Sequence, residues 1–233
     1  MTTATSSPRK RLSPDERKRQ LLDKAVEFFA EEGFEGGTRQ LAQSMGVTQP
    51  LLFRYFASKD DLINAVYERV YLSQWNPQWA RAIRDSALSL QDRLESFYAS
   101  FSSAFDRTWM RIFFFAALND LEIHRHYLMR VTRALLLPIC EERRRTLGIE
   151  TALPVTEMEH ALVWTMHGAI FHQGIREHIY GLPPATSADL GYRLAIRMYL
   201  EDTALHIAPE IARIEASGEA VHFDPLVWKH LLA

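Results

Sequence analysis

Apolar positions in this chain recur every three to four residues from about position 13 onward. No run alternates long enough to argue a strand, so the pattern predicts an all-α protein. Ser13-Pro14-Asp15-Glu16 offers a cap, a proline suited to the first helical position and the glutamate that closes an S-x-x-E box. Leu22, Ala25, Val26 and Phe29 follow at i, i+3, i+4 and i+7, and Gly33 ends the helix. A second helix is predicted from Thr38 to about Met45, and Gly46-Val47 makes a turn. Thr48 then caps a third helix running to about Phe56. Ser58-Lys59-Asp60-Asp61 caps a fourth, which carries Leu62, Val66 and Val70.

The texture changes at WNPQW (75–79), where Pro77 breaks that helix. Longer, more aromatic helices are predicted near 89–106, 108–120, 123–147, 156–180 and 186–207, with a short terminal piece near 224–231. Pro154, the GLPP at 181–184 and Pro209 punctuate them. The helices at 156–180 and 186–207 carry apolar residues on more than one face. Such a helix needs two partners, here its own core and another subunit. The expected organisation is a Ser/Thr-rich, then basic, disordered arm over 1–12, a small helical unit over 13–74 and a larger one over 75–233.

Composition adds little to this picture. A formal charge of −2 across the chain is silent about a nucleic-acid partner, so any basic signal must be local. The single cysteine, Cys140, excludes an internal disulfide framework and fits a reducing compartment. The first residues lack the apolar core of a signal peptide, and no uncharged apolar stretch of about 18 residues is present to span a membrane. A cytoplasmic protein is expected.

The local signal is in 37–59. Two short helices joined by a turn at Gly46, beside a longer amphipathic helix, make a helix-turn-helix. Its expected core is Leu22, Val26, Phe29, Leu41, Ala42, Val47, Leu52 and Phe56. That leaves Thr38, Arg39, Gln40, Gln43, Thr48, Gln49, Leu51, Phe53, Arg54, Tyr55 and Lys59 for solvent. From Gly37 to Lys59 there are three basic residues and no Asp or Glu. Phosphates would repel a carboxylate there, Lys and Arg gain from counterion release, and Gln and Arg are side chains that read base edges. Pro50 is tolerated because it sits in the first helical turn.

The stretch GTRQLAQSMGVTQPLLFRYFASKDDLINAV resembles the DNA-binding segment of the tetracycline-repressor (TetR) family of transcriptional regulators. The resemblance covers roughly residues 14 to 74. It rests on the Phe-x-x-x-Gly helix end, Thr38, Leu41-Ala42, Gly46-Val47, Leu52-Phe53 with Tyr55-Phe56, and the Ser-Lys-acidic-Leu that follows. It implies a motif over 37–56 with a recognition helix from about Gln49 to Tyr55. Thr38 and Arg39 would meet the DNA backbone and a base, and Thr48 would open the recognition helix. Gln49, Pro50 and Leu51 would face base edges, Phe53, Arg54 and Tyr55 would line the phosphate wall, and Lys59 would bind a phosphate. Two positions depart from the pattern. Leu51 stands where a small or hydroxylic residue is usual, and Phe53 replaces a tyrosine, which removes one hydroxyl contact. The resemblance also implies a homodimer on a palindromic operator, through helices 156–180 and 186–207. It further implies a carboxy-terminal ligand domain and repression relieved by a small molecule. The alternative is an effector-independent DNA-binding protein acting through a protein partner.

Trp109, Phe113, Phe114, Trp164, His167 and Phe171 are candidates to line an effector cavity, against the plainer reading that aromatics at helical spacing are core. His124, His126, His160, His167, His172 and His178 invite a metal reading. Within 156–180, however, they are spaced 7, 5 and 6 apart, so none pair at i, i+4 and no metal site is assigned. Arg9–Arg11 could reach a minor groove or simply solubilise the terminus. EERRR (141–145) reads as cations suited to a helix end. No G-x-S-x-G, H-E-x-x-H or Gly-rich phosphate loop is present, so neither an enzyme nor a cofactor is expected.

Overall fold

A computed structural model describes residues 12–183, 188–218, 220, 221, 223 and 224. The basic arm and most of the terminal piece near 224–231 lie outside the described residues. Among the described residues all regular structure is helical, which fits the all-α reading. The chain divides into two compact units, Met1–Ser73 and Gln74–Ala233.

The first unit holds α1 (Pro14–Glu32), α2 (Thr38–Ser44), α3 (Gln49–Phe53) and α4 (Lys59–Tyr67), which continues into a π-type turn over Glu68–Leu72. Ser13 caps α1 through the full reciprocal box: its Oγ accepts from Glu16 N–H while the Glu16 carboxylate accepts from Ser13 N–H at 2.7 Å. Gly33 closes the helix at φ 75°, the left-handed region that favours glycine. The buried line of α1 is Leu21, Ala25, Phe28 and Phe29; Leu22 and Val26, expected in the core, are only half-buried. The reason is bulk. Phe29 packs against Phe28 and Phe34, and seating those rings turns the helix so that Leu22 and Val26 fall at the core's margin. Val47 is half-buried too, whereas Leu41, Ala42, Met45, Leu52 and Phe56 are buried.

The second unit holds α5 (Gln78–Arg84), α6 (Leu90–Ser102), α7 (Arg107–Leu118), α8 (Glu122–Val131), α9 (Leu137–Thr146), α10 (Glu157–His178) and α11 (Ala188–Ser217). The sequence pattern missed α5: the preceding helical run already stops at Leu72, and Pro77 stands instead at the N-cap of the next helix, which buries Trp79 and Ile83. The helix expected over 123–147 is interrupted by a π-type turn over Thr132–Leu136, just before Pro138, which has no N–H to give back. Conversely, α11 runs straight through Pro209, where a stop was expected. Beyond it Ile211 and Ile214 are buried, as is Ile207 before it. At about 1.5–3 kcal/mol for each buried isoleucine, that packing offsets the roughly 3 kcal/mol a mid-helix proline costs.

Around α10 are α6, α7, α9 and α11. Gly174 lets α10 approach α7: a Cβ there would overlap Met110 Cε and stand 3.2 Å from Phe105. The EERRR run does not serve a helix dipole alone. Glu142, Arg143 and Arg144 are buried. Glu142 pairs with the equally buried Arg93 at 2.9 Å and with Arg145. Arg144 grips Glu159 with two nitrogens, at 2.6 and 2.5 Å, and Arg143 donates to Thr203 Oγ1 and Leu200 C=O. These arginines tie α9 to α6, α10 and α11. Facing outward on α11, Leu190, Leu194, Met198 and Leu205 form one exposed apolar stripe.

Candidate functional site

The helix-turn-helix geometry follows from a glycine. At Gly46 (φ 69°) the Val47 N–H bonds Ala42 C=O and the Gly46 N–H bonds Gln43 C=O, the paired bonds of a Schellman turn. A side chain at 46 would meet no steric contact within 4 Å, so the demand for glycine is purely conformational. The turn delivers the chain into α3, whose first backbone bonds run from Leu51 and Leu52 N–H to Thr48 C=O. α3 ends at Phe53, with Arg54 and Tyr55 in a turn, and is shorter than the helix expected to reach Phe56. The expected Thr48 cap is not made: its backbone is extended, but its side chain bonds no helix amide. That hydroxyl is left at the surface.

Of the residues expected at DNA, Arg39, Thr48, Pro50 and Arg54 are exposed, and Thr38, Gln49, Leu51, Phe53, Tyr55 and Lys59 are half-buried. The structure joins two of them. Gln49 Nε2 donates to Thr38 Oγ1 at 2.9 Å across the angle between α2 and α3. One amide hydrogen is thereby used, leaving the other hydrogen and Oε1, the donor–acceptor pair that an adenine edge accepts. Lys59 opens α4, where Ser58 Oγ accepts from Asp61 N–H and the Asp61 carboxylate accepts from Ala57 N–H. The Asp61 carboxylate, two residues beyond the acid-free window, is thus occupied by a cap.

In the second unit a cavity of about 350 Å³ opens between α7, α8 and α10, a size typical of ligand pockets. Trp109, Phe113, Trp164, His167 and Phe171 line it, while Phe114 does not. Phe114 follows Phe113 by one residue, about 100° around the helix. The pattern missed Phe101, Gly168 and the α8 contributions of His124, Tyr127, Leu128 and Val131. The spacing of α8 alone gives no sign of a lining role. Trp109 and Phe113 stack at 5.2 Å and 12°, and Phe171 lies 5.0 Å from Phe113. Burial holds the imidazoles of His167 and His124 down at about 4, so both are neutral near pH 7. Nδ1 of His167 lies 3.2 Å from the buried Tyr98 hydroxyl, and Trp164 N–H donates to His160 Nε2. Among the described residues, no three His, Cys, Asp or Glu side chains converge as metal ligands, and no helix is long and apolar enough to cross a membrane.

Residues 21–66 match the family described as bacterial regulatory proteins, tetR family. The chain is 38% identical over 71 residues to the HTH-type transcriptional regulator LuxR of Vibrio harveyi, covering 30% of this chain and 35% of that protein. It is 35% identical over 91 residues to the HTH-type transcriptional activator FasR of Mycolicibacterium smegmatis, covering 38% and 42%. The matched stretch is therefore well under half the length of either relative. In three dimensions the fold is like that of a transcriptional regulator from Pseudomonas aeruginosa PAO1, with a TM-score of 0.64 and 18% identity over 86% of this chain and 96% of the other. At that identity the likeness speaks for the fold, all-helical with an N-terminal helix-turn-helix. Together with the sequence match over residues 21–66, it shows that the N-terminal helices form a helix-turn-helix domain like that of the tetR family of bacterial regulatory proteins.

Proposed function

We propose that this protein is a cytoplasmic, sequence-specific DNA-binding regulator that acts as a homodimer on a palindromic operator and is released by a small apolar effector. The observation that carries the DNA reading is the surface over 37–59. It holds three cations and no carboxylate, and its Gln49 amide is aimed by Thr38. Gln49, Pro50 and Leu51 read base edges. Arg39, Thr48, Phe53, Arg54, Tyr55 and Lys59 contact the backbone. The exposed stripe Leu190, Leu194, Met198 and Leu205 supports a dimer through α10 and α11, and a two-fold protein calls for a two-fold operator. The aromatic cavity favours an effector over a mode that works only through a protein partner.

The test is affinity for operator and for non-operator DNA across a salt series. Gln49→Ala should weaken the operator more than random DNA and relax preference at one base pair per half-site, since a bidentate contact is worth about 1–3 kcal/mol. Lys59→Ala should weaken both equally and flatten the salt dependence by a slope of roughly one per phosphate contact, or two per dimer. If Gln49→Ala spares specificity while Lys59→Ala alters it, α3 is not in the groove.

A further inference from the structure

The cavity wall carries no formal charge: among the described residues no Asp, Glu, Lys or Arg lines it. Its polar character rests on a few ring and hydroxyl groups, and for one of them hydrogen-bond bookkeeping assigns the proton. The Tyr98 hydroxyl is fully buried, and among the described residues its one hydrogen-bond partner is His167 Nδ1. If Nδ1 carried the hydrogen, the tyrosine would accept and its own hydrogen would be stranded in the core. A buried unmade donor costs about 1–3 kcal/mol. If instead Tyr98 donates to Nδ1, both groups are satisfied by one bond, and the imidazole hydrogen sits on Nε2, across the ring.

Nε2 has no hydrogen-bond partner among the described residues, yet it is not among the buried unpartnered atoms, which are Arg176 Nε and Tyr199 Oη. It therefore keeps accessible surface, and the surface His167 shares is that of the cavity. The neighbouring indole does not compete, because the Trp164 N–H is held by His160. The second imidazole, His124, packs edge-on at 4.5 Å against Phe113, and among the described residues no hydrogen-bond partner fixes its tautomer.

We infer that the cavity selects an uncharged, largely aromatic ligand presenting one hydrogen-bond acceptor, such as a ketone or ester oxygen, to the Nε2–H of His167. Tyr98 is the positioning residue that fixes this donor. This rests on the proposal that the cavity is the effector site. The stacked Trp109 and Phe113 rings and Phe171 supply flat surfaces for a planar ligand. An anion would be desolvated here with no cation to receive it, and a cation would meet no carboxylate. At the His167 Nε2–H itself, a ligand group offering only a donor would meet like polarity.

Two measurements decide it. Nitrogen-15 NMR of the His167 ring in the full-length protein should show the Nε2–H tautomer, and Tyr98→Phe should let the Nδ1–H tautomer appear. An Nδ1–H tautomer in the wild type overturns the inference whatever binds. Calorimetric titration with fluorene, fluorenone and fluorene-carboxylate then tests the class of ligand. Fluorenone should bind about 3–10-fold more tightly than fluorene, the range of one neutral hydrogen bond. Fluorene-carboxylate should bind most weakly of the three. His167→Phe should bind fluorene and fluorenone equally. Equal affinities in the wild type, or tightest binding of the carboxylate, would overturn the donor assignment while leaving the cavity as a ligand site. Failure of all three probes to bind would remove the cavity reading, and the inference with it.

Discussion

Replacing Thr38 by valine deletes one hydroxyl and keeps the side chain's shape, so it isolates the 2.9 Å bond to Gln49. In the free protein that bond holds a side chain with three rotatable torsions. Immobilising such a chain on DNA otherwise costs up to about 1.5–2 kcal/mol. The bond's own net worth, about 0.5–1.5 kcal/mol, caps how much of that ordering it can supply in advance. Taking roughly 1 kcal/mol per half-site gives about a fivefold loss, and about 30-fold for a dimer engaging two half-sites. Gln49→Ala should lose more, because it removes the base contact as well. Thr38→Ser keeps the acceptor and should behave as wild type. The assay is fluorescence anisotropy on labelled operator and on a scrambled duplex at one fixed salt concentration. The operator should weaken with Thr38→Val while the scrambled duplex does not. Equal weakening of both duplexes would mean that Thr38 serves a phosphate, and the aiming role would be refuted.

Other outcomes follow from the second unit. Glu142→Leu should destabilise the fold by about 3–5 kcal/mol in urea titrations, because Arg93 is left buried without its counter-ion; adding Arg93→Met should recover most of that loss. A single-variant cost below about 1 kcal/mol would contradict the pairing. The His167 imidazole is held at about 4 by burial against an ordinary 6.5, so the unfolded chain takes up its proton first as pH falls. Stability should therefore drop between pH 6.5 and 4 by roughly 3 kcal/mol and level off below, at 1.36 kcal/mol per pH unit. His167→Phe should remove that part of the slope, and an unchanged slope would count against the burial. Leu194→Glu with Met198→Glu should halve the sedimenting mass, since both side chains are exposed on the α11 stripe. An unaltered mass would place the dimer contact elsewhere.

Much of the first unit was legible because its signals are local. Ser13 and Glu16 satisfy each other within one turn, and Gly46 closes a turn made by its immediate neighbours. What was not legible depends on distant chain. The Thr38–Gln49 bond spans eleven residues and the α2–α3 angle. Arg143 and Arg144 read as cations suited to a helix end until α10 and α11 close over them and supply Glu159 and Thr203. Proline misled in both directions, opening α5 at Pro77 and passing unnoticed inside α11 at Pro209. The aromatic richness of 109–118 suggested a cavity, but which rings face it depends on α8, whose His124 and Tyr127 gave no periodic sign of a lining role.

The close approach at Gly174 bears on how such a protein diversifies. Met110, whose terminal methyl fills the space a Cβ would take, is flexible and can swing aside. Phe105 cannot yield so freely, because it leans on Trp109 at 5.0 Å and on Phe171 at 5.5 Å, both in the cavity wall. A single methyl gained at position 174 would thus be transmitted through Phe105 to the aromatic rings of the cavity wall. A lineage could reshape the cavity by drift at this one glycine, with every lining residue and every residue of 37–59 retained.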